Sequence, residues 1–286
     1  MAGVEPAKTS RTSTAALSSR LLSLLEKSPA RKQEVHLLRT TIRRLEVQLG
    51  NTPSKIAKAL KDLRKKAGRV RDIDVHLGLL KSPLLPKSSA SRDRASVMQD
   101  ELRQILKAKR ERHLDSLHDA LAAAAPLLQA RLPVLAANST LGVSTPALHA
   151  HRQARQARDH FLRWTRHVPE DAIKLHQLRI QTKKLRYSLE PLEAFPECVE
   201  LAAKLKQVQD AIGRWHDWAT LSQLARHELH SGEAEPLCAA LSRRSGSQYR
   251  RARRAAESAR RWMAGGKPAA SVSAAPNSMK RIPKAG

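Results

Sequence analysis

The sequence predicts an all-α protein made of two related helical halves, and three observations carry that prediction. Leu, Ala, Val and Ile recur at helical spacing through most of the chain, and the periodic parts hold few glycines. Hydrophobic residues are 41% of the 286, yet aromatic residues are only 3%, so any core must be mainly aliphatic. Finally, one helix-length pattern occurs twice, beginning at His36 and again at His176.

Residues 1–14 are polar and irregular and read as a disordered tail. Leu17, Leu21, Leu22, Leu24 and Leu25 give a short amphipathic helix ending near Ser28-Pro29. A second helix spans 31–49, closed by Gly50-Asn51. Pro53 stands at a first helical position after Thr52 as cap, and a long helix continues to about Leu80. Ser82-Pro83 to Ala90 reads as a loop, and a highly charged helix runs from Ser91 to Ala124. Pro126 and Pro133 are expected to break or kink the next stretch, leaving 136–145 as a linker between halves of 15–135 and 146–262. The second half opens with a helix from Pro146 to Arg166. Pro169 with Glu170 and Asp171 marks the next start, since acids suit a helix N-terminus. Pro191 is expected to kink that helix; a helix over 197–230 and a last one over 234–263 come after it. Gly265-Gly266 and the Pro, Ala, Ser and Lys beyond make 263–286 a flexible basic tail.

Placing His36 on His176 aligns two copies of His-x-x-Arg-x-x-x-basic-basic-Leu. At about 100° per residue, Leu178, Leu185 and Leu189 share one side of the second copy. His176, Arg179, Lys183 and Lys184 lie on the other side, with Arg186 at its edge. In the first copy Leu38, Ile42, Leu45 and Leu49 form the apolar stripe, and His36, Arg39, Arg43 and Arg44 lie opposite. Each copy is succeeded by a second match: Gly68-Arg69-Val70-Arg71-Asp72 pairs with Gly213-Arg214-Trp215-His216-Asp217. Two such halves facing each other about a pseudo-twofold axis would join both cationic rows into one surface. The repeat is too long, and its copies too few, for a solenoid.

Charge points to the partner. Lys and Arg number 53 against 26 Asp and Glu, a formal net charge of +27. A compact domain repels itself at that charge, so a polyanion is the natural partner: DNA, RNA, an anionic membrane surface or an inorganic phosphate polymer. The two rows hold no acid until Glu46, so they lack the i,i+4 partners of an ordinary charged surface helix. Like charges at that spacing cost a few tenths of a kcal/mol each unless an anion occupies them. Arg can give two hydrogen bonds to one phosphate and keeps its charge. Histidinium beside an anion is favoured, so binding through His36 and His176 should tighten as pH falls. Asp72 and Asp217 are placed to orient several guanidiniums.

Other classes fit poorly. Cys198 and Cys238 make neither a disulfide framework nor a metal site, and they point to a reducing compartment, hence a cytoplasmic location. No run approaches about 18 apolar residues, so no membrane span is expected. The first 20 residues lack an apolar signal region. Being rich in Ser, Thr and Ala and poor in acids, they bear a faint likeness to an organelle transit peptide. His216-Asp217 and His118-Asp119 raise a metal-dependent phosphohydrolase, but such a site needs further ligands, and a strongly positive chain is a poor host for a divalent cation. No Gly-rich phosphate loop, HExxH, nucleophile elbow or zinc cluster is present, so neither cofactor nor metal is expected. Trp164, Trp215, Trp218 and Trp262 suit helix packing better than base stacking, because the chain holds only four Trp, two Tyr and two Phe.

The paired motifs resemble the CHAD domain, a histidine-containing α-helical domain, over roughly residues 15–262. The resemblance implies two helical-bundle halves related by pseudo-twofold symmetry, with long antiparallel helices around a central basic cavity or groove. It also implies binding of inorganic polyphosphate at polyphosphate granules and no catalytic activity. Carried onto this chain, the expected contacts are His36, Arg39, Arg43, Arg44, His176, Arg179, Lys183, Lys184 and Arg186, extended by Arg69, Arg71, Arg214 and His216. Glu46 departs from the family pattern, which commonly has another base there, so the second row is expected to be the stronger. The rival reading is a non-specific nucleic-acid-binding, nucleoid-associated protein.

Overall fold

The computed structural model describes residues 13–50, 53–81, 83–85, 92–138 and 146–265. Most of both expected tails falls outside these residues, as do Thr52 and 139–145 of the expected linker. Eight α-helices and no strand occur among the described residues, in keeping with the aliphatic helical periodicity.

Helix α1 (Thr14–Glu26) starts at Ser13, whose hydroxyl accepts the Ala16 N–H at 3.2 Å. Helix α2 (Lys32–Gln48) is followed by Gly50, whose φ of +55° favours glycine. Helix α3 is Ser54–Leu79 and α4 is Arg92–Asn138. In the second half α5 is Pro146–Trp164. Helix α6 (Ala172–Leu189) is capped by Asp171, which accepts the Lys174 N–H at 2.6 Å. A 3-10 turn at Glu190–Leu192 stands at the kink expected of Pro191. Helix α7 (Pro196–Glu228), a 3-10 turn at Gly232–Ala234 and α8 (Glu235–Gly265) complete the fold.

One sequence expectation needs correction. Pro126 and Pro133 do not end α4, which continues to Asn138 and takes in the start of the expected linker. An internal proline costs about 3 kcal/mol against alanine. Leu121, Leu128 and Leu132 are buried along the same stretch. Burying a leucine contributes about 1.5–3 kcal/mol, so the three together are of the same order as the cost of both prolines. This apolar stretch also gives α4 an 18-residue window long and apolar enough to cross a bilayer by length and composition only; 33% of the window is buried inside the fold.

Three aliphatic clusters hold the molecule together. The first joins α1, α2, α3 and the later part of α4 around Leu21, Leu38, Leu63 and Leu117. The second joins α5, α6, the first part of α7 and the end of α8 around Phe161, Leu178, Leu205 and Met263. The third is built from both halves: Ile73 and Leu80, Leu102 and Leu106 of α4, Leu221 and Ala225 of α7, and Leu237 and Leu241 of α8. Trp164, Trp215 and Trp262 pack on the second cluster and Trp218 on the third, as expected of helix-packing residues.

Polar ties fix the helices that carry the cationic motifs. Asp74 of α3 accepts from Arg110 Nε at 2.7 Å, and Arg110 Nη2 donates to the Ala30 carbonyl at 2.7 Å. Between the halves, His76 of α3 lies 3.0 Å from the Thr220 hydroxyl of α7, and Arg71 donates to Asp217 at 3.3 Å.

Candidate anion-binding cleft

Helices α2 and α6 touch, and their cationic faces line two adjoining hollows. The larger has a volume of about 800 Å³ and the smaller about 230 Å³. Arg39 and Arg43 of α2 and Arg179, Lys183 and Tyr187 of α6 line both. The two rows are therefore not wholly solvent-facing, although His36 and Lys184 stay exposed. They face one another, and Arg179 is only 8% exposed.

Glycines of the second motif lie against these guanidiniums. A Cβ on Gly68 would lie 3.4 Å from Arg39 Nε, and one on Gly213 would lie 3.5 Å from Arg179 Nε. The same contact thus occurs at equivalent positions of both repeats. Nε of Arg39, Nε of Arg179 and Nδ1 of His176 are buried with no hydrogen-bond partner. An unsatisfied buried donor costs about 1–3 kcal/mol, which an incoming anion can recover.

The electrostatics arise from crowding like charges with little water. Burial, then Arg43, push Arg39 down to about 9, so it stays charged at neutral pH. Burial, then Arg179, Arg43 and Arg39, push Lys183 down to about 5. Burial also lowers Arg43 and Arg179, partly offset by Tyr187 beside Arg43 and by Asp217 beside Arg179. His216 is pushed down to about 4 by burial, Arg179 and His176, and its ring lies 4.6 Å from that of His176. His36 and His176 are lowered by burial and by their cationic neighbours, Arg71 beside His36 and Arg179 beside His176. Arg71 is the exception. Burial opposes its charge, but Asp217 and Asp72 outweigh burial and raise it.

Most of the expected site residues gather here, and a few do not. His176, His216, Lys184 and Asp72 line the larger hollow; His36, Arg71, Arg214 and Asp217 line the smaller. Asp72 and Asp217 both accept from the same group, Arg71, rather than orienting several guanidiniums. Arg44 and Arg186 converge instead on Glu190, Arg44 Nε at 2.5 Å, and Arg186 also donates to Gln209 at 3.0 Å. Neither lines either hollow, so Arg186 does not give the second row the advantage that its alignment with Glu46 suggests. Glu46, at the edge of the larger hollow, is itself paired with Arg64 of α3 at 2.6 Å. Arg69 lines neither hollow and lies near His113 of α4, whose charge it disfavours.

Sequence reasoning missed Tyr187 and His160, both of which line the larger hollow. Tyr187 stands one helical turn beyond Lys183, on the face that already holds Arg179, so its spacing carried the signal. His160 comes from α5, outside both repeated motifs, and no pattern singles it out. Among the described residues, no three His, Cys, Asp or Glu gather where they could hold a metal ion. His118, the other histidine of a His-Asp pair, lies 3.2 Å from the Pro29 carbonyl.

A family model described as CHAD domain matches residues 15–226. The chain belongs to the CHAD family. Among solved structures, the chain resembles the crystal structure of the CHAD domain from the plant Ricinus communis, at a TM-score of 0.63 and 20% identity. The match covers 94% of this chain and 96% of the plant one. At that identity the likeness speaks to the CHAD fold alone. No curated protein matches the chain. The CHAD match takes in both cationic helices and both Gly-Arg-x-(Arg/His)-Asp segments.

Proposed function

We propose that this CHAD protein binds inorganic polyphosphate in the cleft between α2 and α6, without catalysing a reaction. The observation that carries the reading is the set Arg39, Arg43, Arg179 and Lys183, which line both hollows. None of the four is in an ion pair among the described residues, whereas Arg44, Arg64, Arg71 and Arg186 are. A flexible chain with a phosphate at every unit can thread such a space and needs neither base-edge readers nor stacking platforms. The place we infer for it is the cytoplasm, at granules where polyphosphate accumulates.

Calorimetric titration with long-chain polyphosphate tests this. The double variant Arg39→Gln/Arg179→Gln should weaken binding at least about 100-fold, since each charged hydrogen-bond donor contributes about 1.5–3 kcal/mol. Arg250→Gln/Arg254→Gln on α8, away from the cleft, should leave binding within about twofold. Equal weakening by both pairs would sink the assignment to the cleft.

One observation favours a second reading, a non-specific nucleic-acid contact. Arg243, Arg250, Arg254 and Arg261 are all exposed and form one stripe along α8, roughly 27 Å long. Duplex DNA separates the two: it should bind weakly and be displaced by polyphosphate at equal phosphate concentration, whereas tight DNA binding that Arg250→Gln/Arg254→Gln weakens would favour the second reading.

A further inference from the structure

Lys183 brings an amine and a candidate phosphate site to the same place. It is partly exposed and opens on both hollows alongside Arg39, Arg43 and Arg179. No carboxylate is paired with it among the described residues, in contrast to Lys109, Lys174 and Lys206. The larger hollow, about 800 Å³, admits a small molecule to the amine. We propose that Lys183 is a modification site, a lysine that accepts the acyl group of a small acyl phosphate whose phosphate is anchored by Arg39, Arg43 and Arg179.

The step balances without a further reactant. The Nζ lone pair attacks the carbonyl carbon and a C–N bond forms. The C–O bond to the phosphate breaks, and inorganic phosphate leaves with the bonding electrons. The nitrogen then gives up a proton to that phosphate or to water, leaving an Nζ-acyl-lysine. The reaction requires an amine free of its extra proton. Burial and the surrounding guanidiniums supply that state at neutral pH by pushing Lys183 down to about 5. The same guanidiniums hold the leaving group, which concentrates the reagent beside the nucleophile. Acylation would remove a cation that a bound polyanion needs, so it would act as a brake on polyphosphate binding. The proposal rests on the reading that the cleft holds phosphate.

Full-length protein treated with acetyl phosphate tests it, with p-nitrophenyl acetate, which carries no phosphate, in parallel. Acylation of Lys183 is followed over time in chymotryptic peptides by mass spectrometry, with Lys61, exposed and lining neither hollow, as internal comparator. Acetyl phosphate should label Lys183 at least about tenfold faster than Lys61, and saturating pyrophosphate should abolish the preference. Equal labelling of the two lysines by acetyl phosphate overturns the proposal. A polyphosphate titration of the same preparation shows which claim has failed. Polyphosphate binding without selective acylation removes only this inference. Selective acylation by p-nitrophenyl acetate alone, without polyphosphate binding, removes the phosphate site and the inference with it.

Discussion

Lys183 and Arg179 stand one helical turn apart, yet the cleft acts on them differently. Burial disfavours the charge of both, but Arg179 has Asp217 nearby, whereas every named charge acting on Lys183 is another cation. A phosphate polymer would restore the Lys183 charge, so binding takes up a proton whenever free Lys183 is neutral. That holds above about 5, the value of the free group, and up to the ordinary lysine range. Polyphosphate affinity should therefore rise as pH falls from 8 to 6, by up to about tenfold per pH unit for one proton. Lys183→Met should flatten that profile in titrations across the same range; an unchanged slope would place the proton elsewhere. His216, held at about 4 by burial, Arg179 and His176 against the opposing pull of Asp217 and Asp72, adds to the slope only when the anion raises it into the same range. Without ligand the sign is opposite for stability. The folded state binds fewer protons at Lys183 than the unfolded chain, so this group costs stability increasingly as pH falls towards about 5. The candidate residues were legible because His, Arg and the basic pair recur at the same spacing. Their charge state was not, since it depends on which neighbours a distant helix supplies.

At the scale of elements, the glycines at the start of the second motif are the informative positions. Gly213 faces Arg179 at 3.5 Å from where a Cβ would sit, an ordinary contact distance. Gly213→Ala should therefore be accepted and should stabilise α7 by up to about 1 kcal/mol, because glycine is a poor helix former. Gly213→Leu, by contrast, should push the Arg179 guanidinium out of place and weaken polyphosphate binding about tenfold or more, with helicity retained in circular dichroism. Equal binding by the two variants would mean that this packing does not position Arg179. The repeat marks Gly68 and Gly213 as equivalent, but their purpose shows only when α3 lies against α2 and α7 against α6. Helix α4 shows the same dependence on packing. Pro126 and Pro133 read locally as breakers, and burial of Leu121, Leu128 and Leu132 in the first cluster overrides them.

For the whole molecule, the third cluster is the feature no local pattern announces. It takes residues from α3 and α4 and from α7 and α8, so the two repeats share a core instead of meeting only at the cleft. That shared core, with the Arg71–Asp217 and His76–Thr220 ties, holds α2 against α6. If Arg39, Arg43, Arg179 and a Lys183 that is charged in the complex each neutralise a phosphate, the salt dependence of polyphosphate affinity should have a log–log slope of about −3. A slope near zero would mean that the cleft is not the binding surface. The sequence alone determined the all-α class, the repeat, the excess of positive charge and most of the charged residues that line the cleft, because periodicity and composition are local properties. Only the tertiary structure decided which cations remain unpaired. Glu190, Glu46 and Asp217 reach Arg44, Arg186, Arg64 and Arg71 across turns and between helices, and the two hollows are left with Arg39, Arg43, Arg179 and Lys183 in common, Lys184 on the larger and Arg214 on the smaller. Ion pairing and burial depend on distances between elements far apart in the chain, and those distances are set by packing.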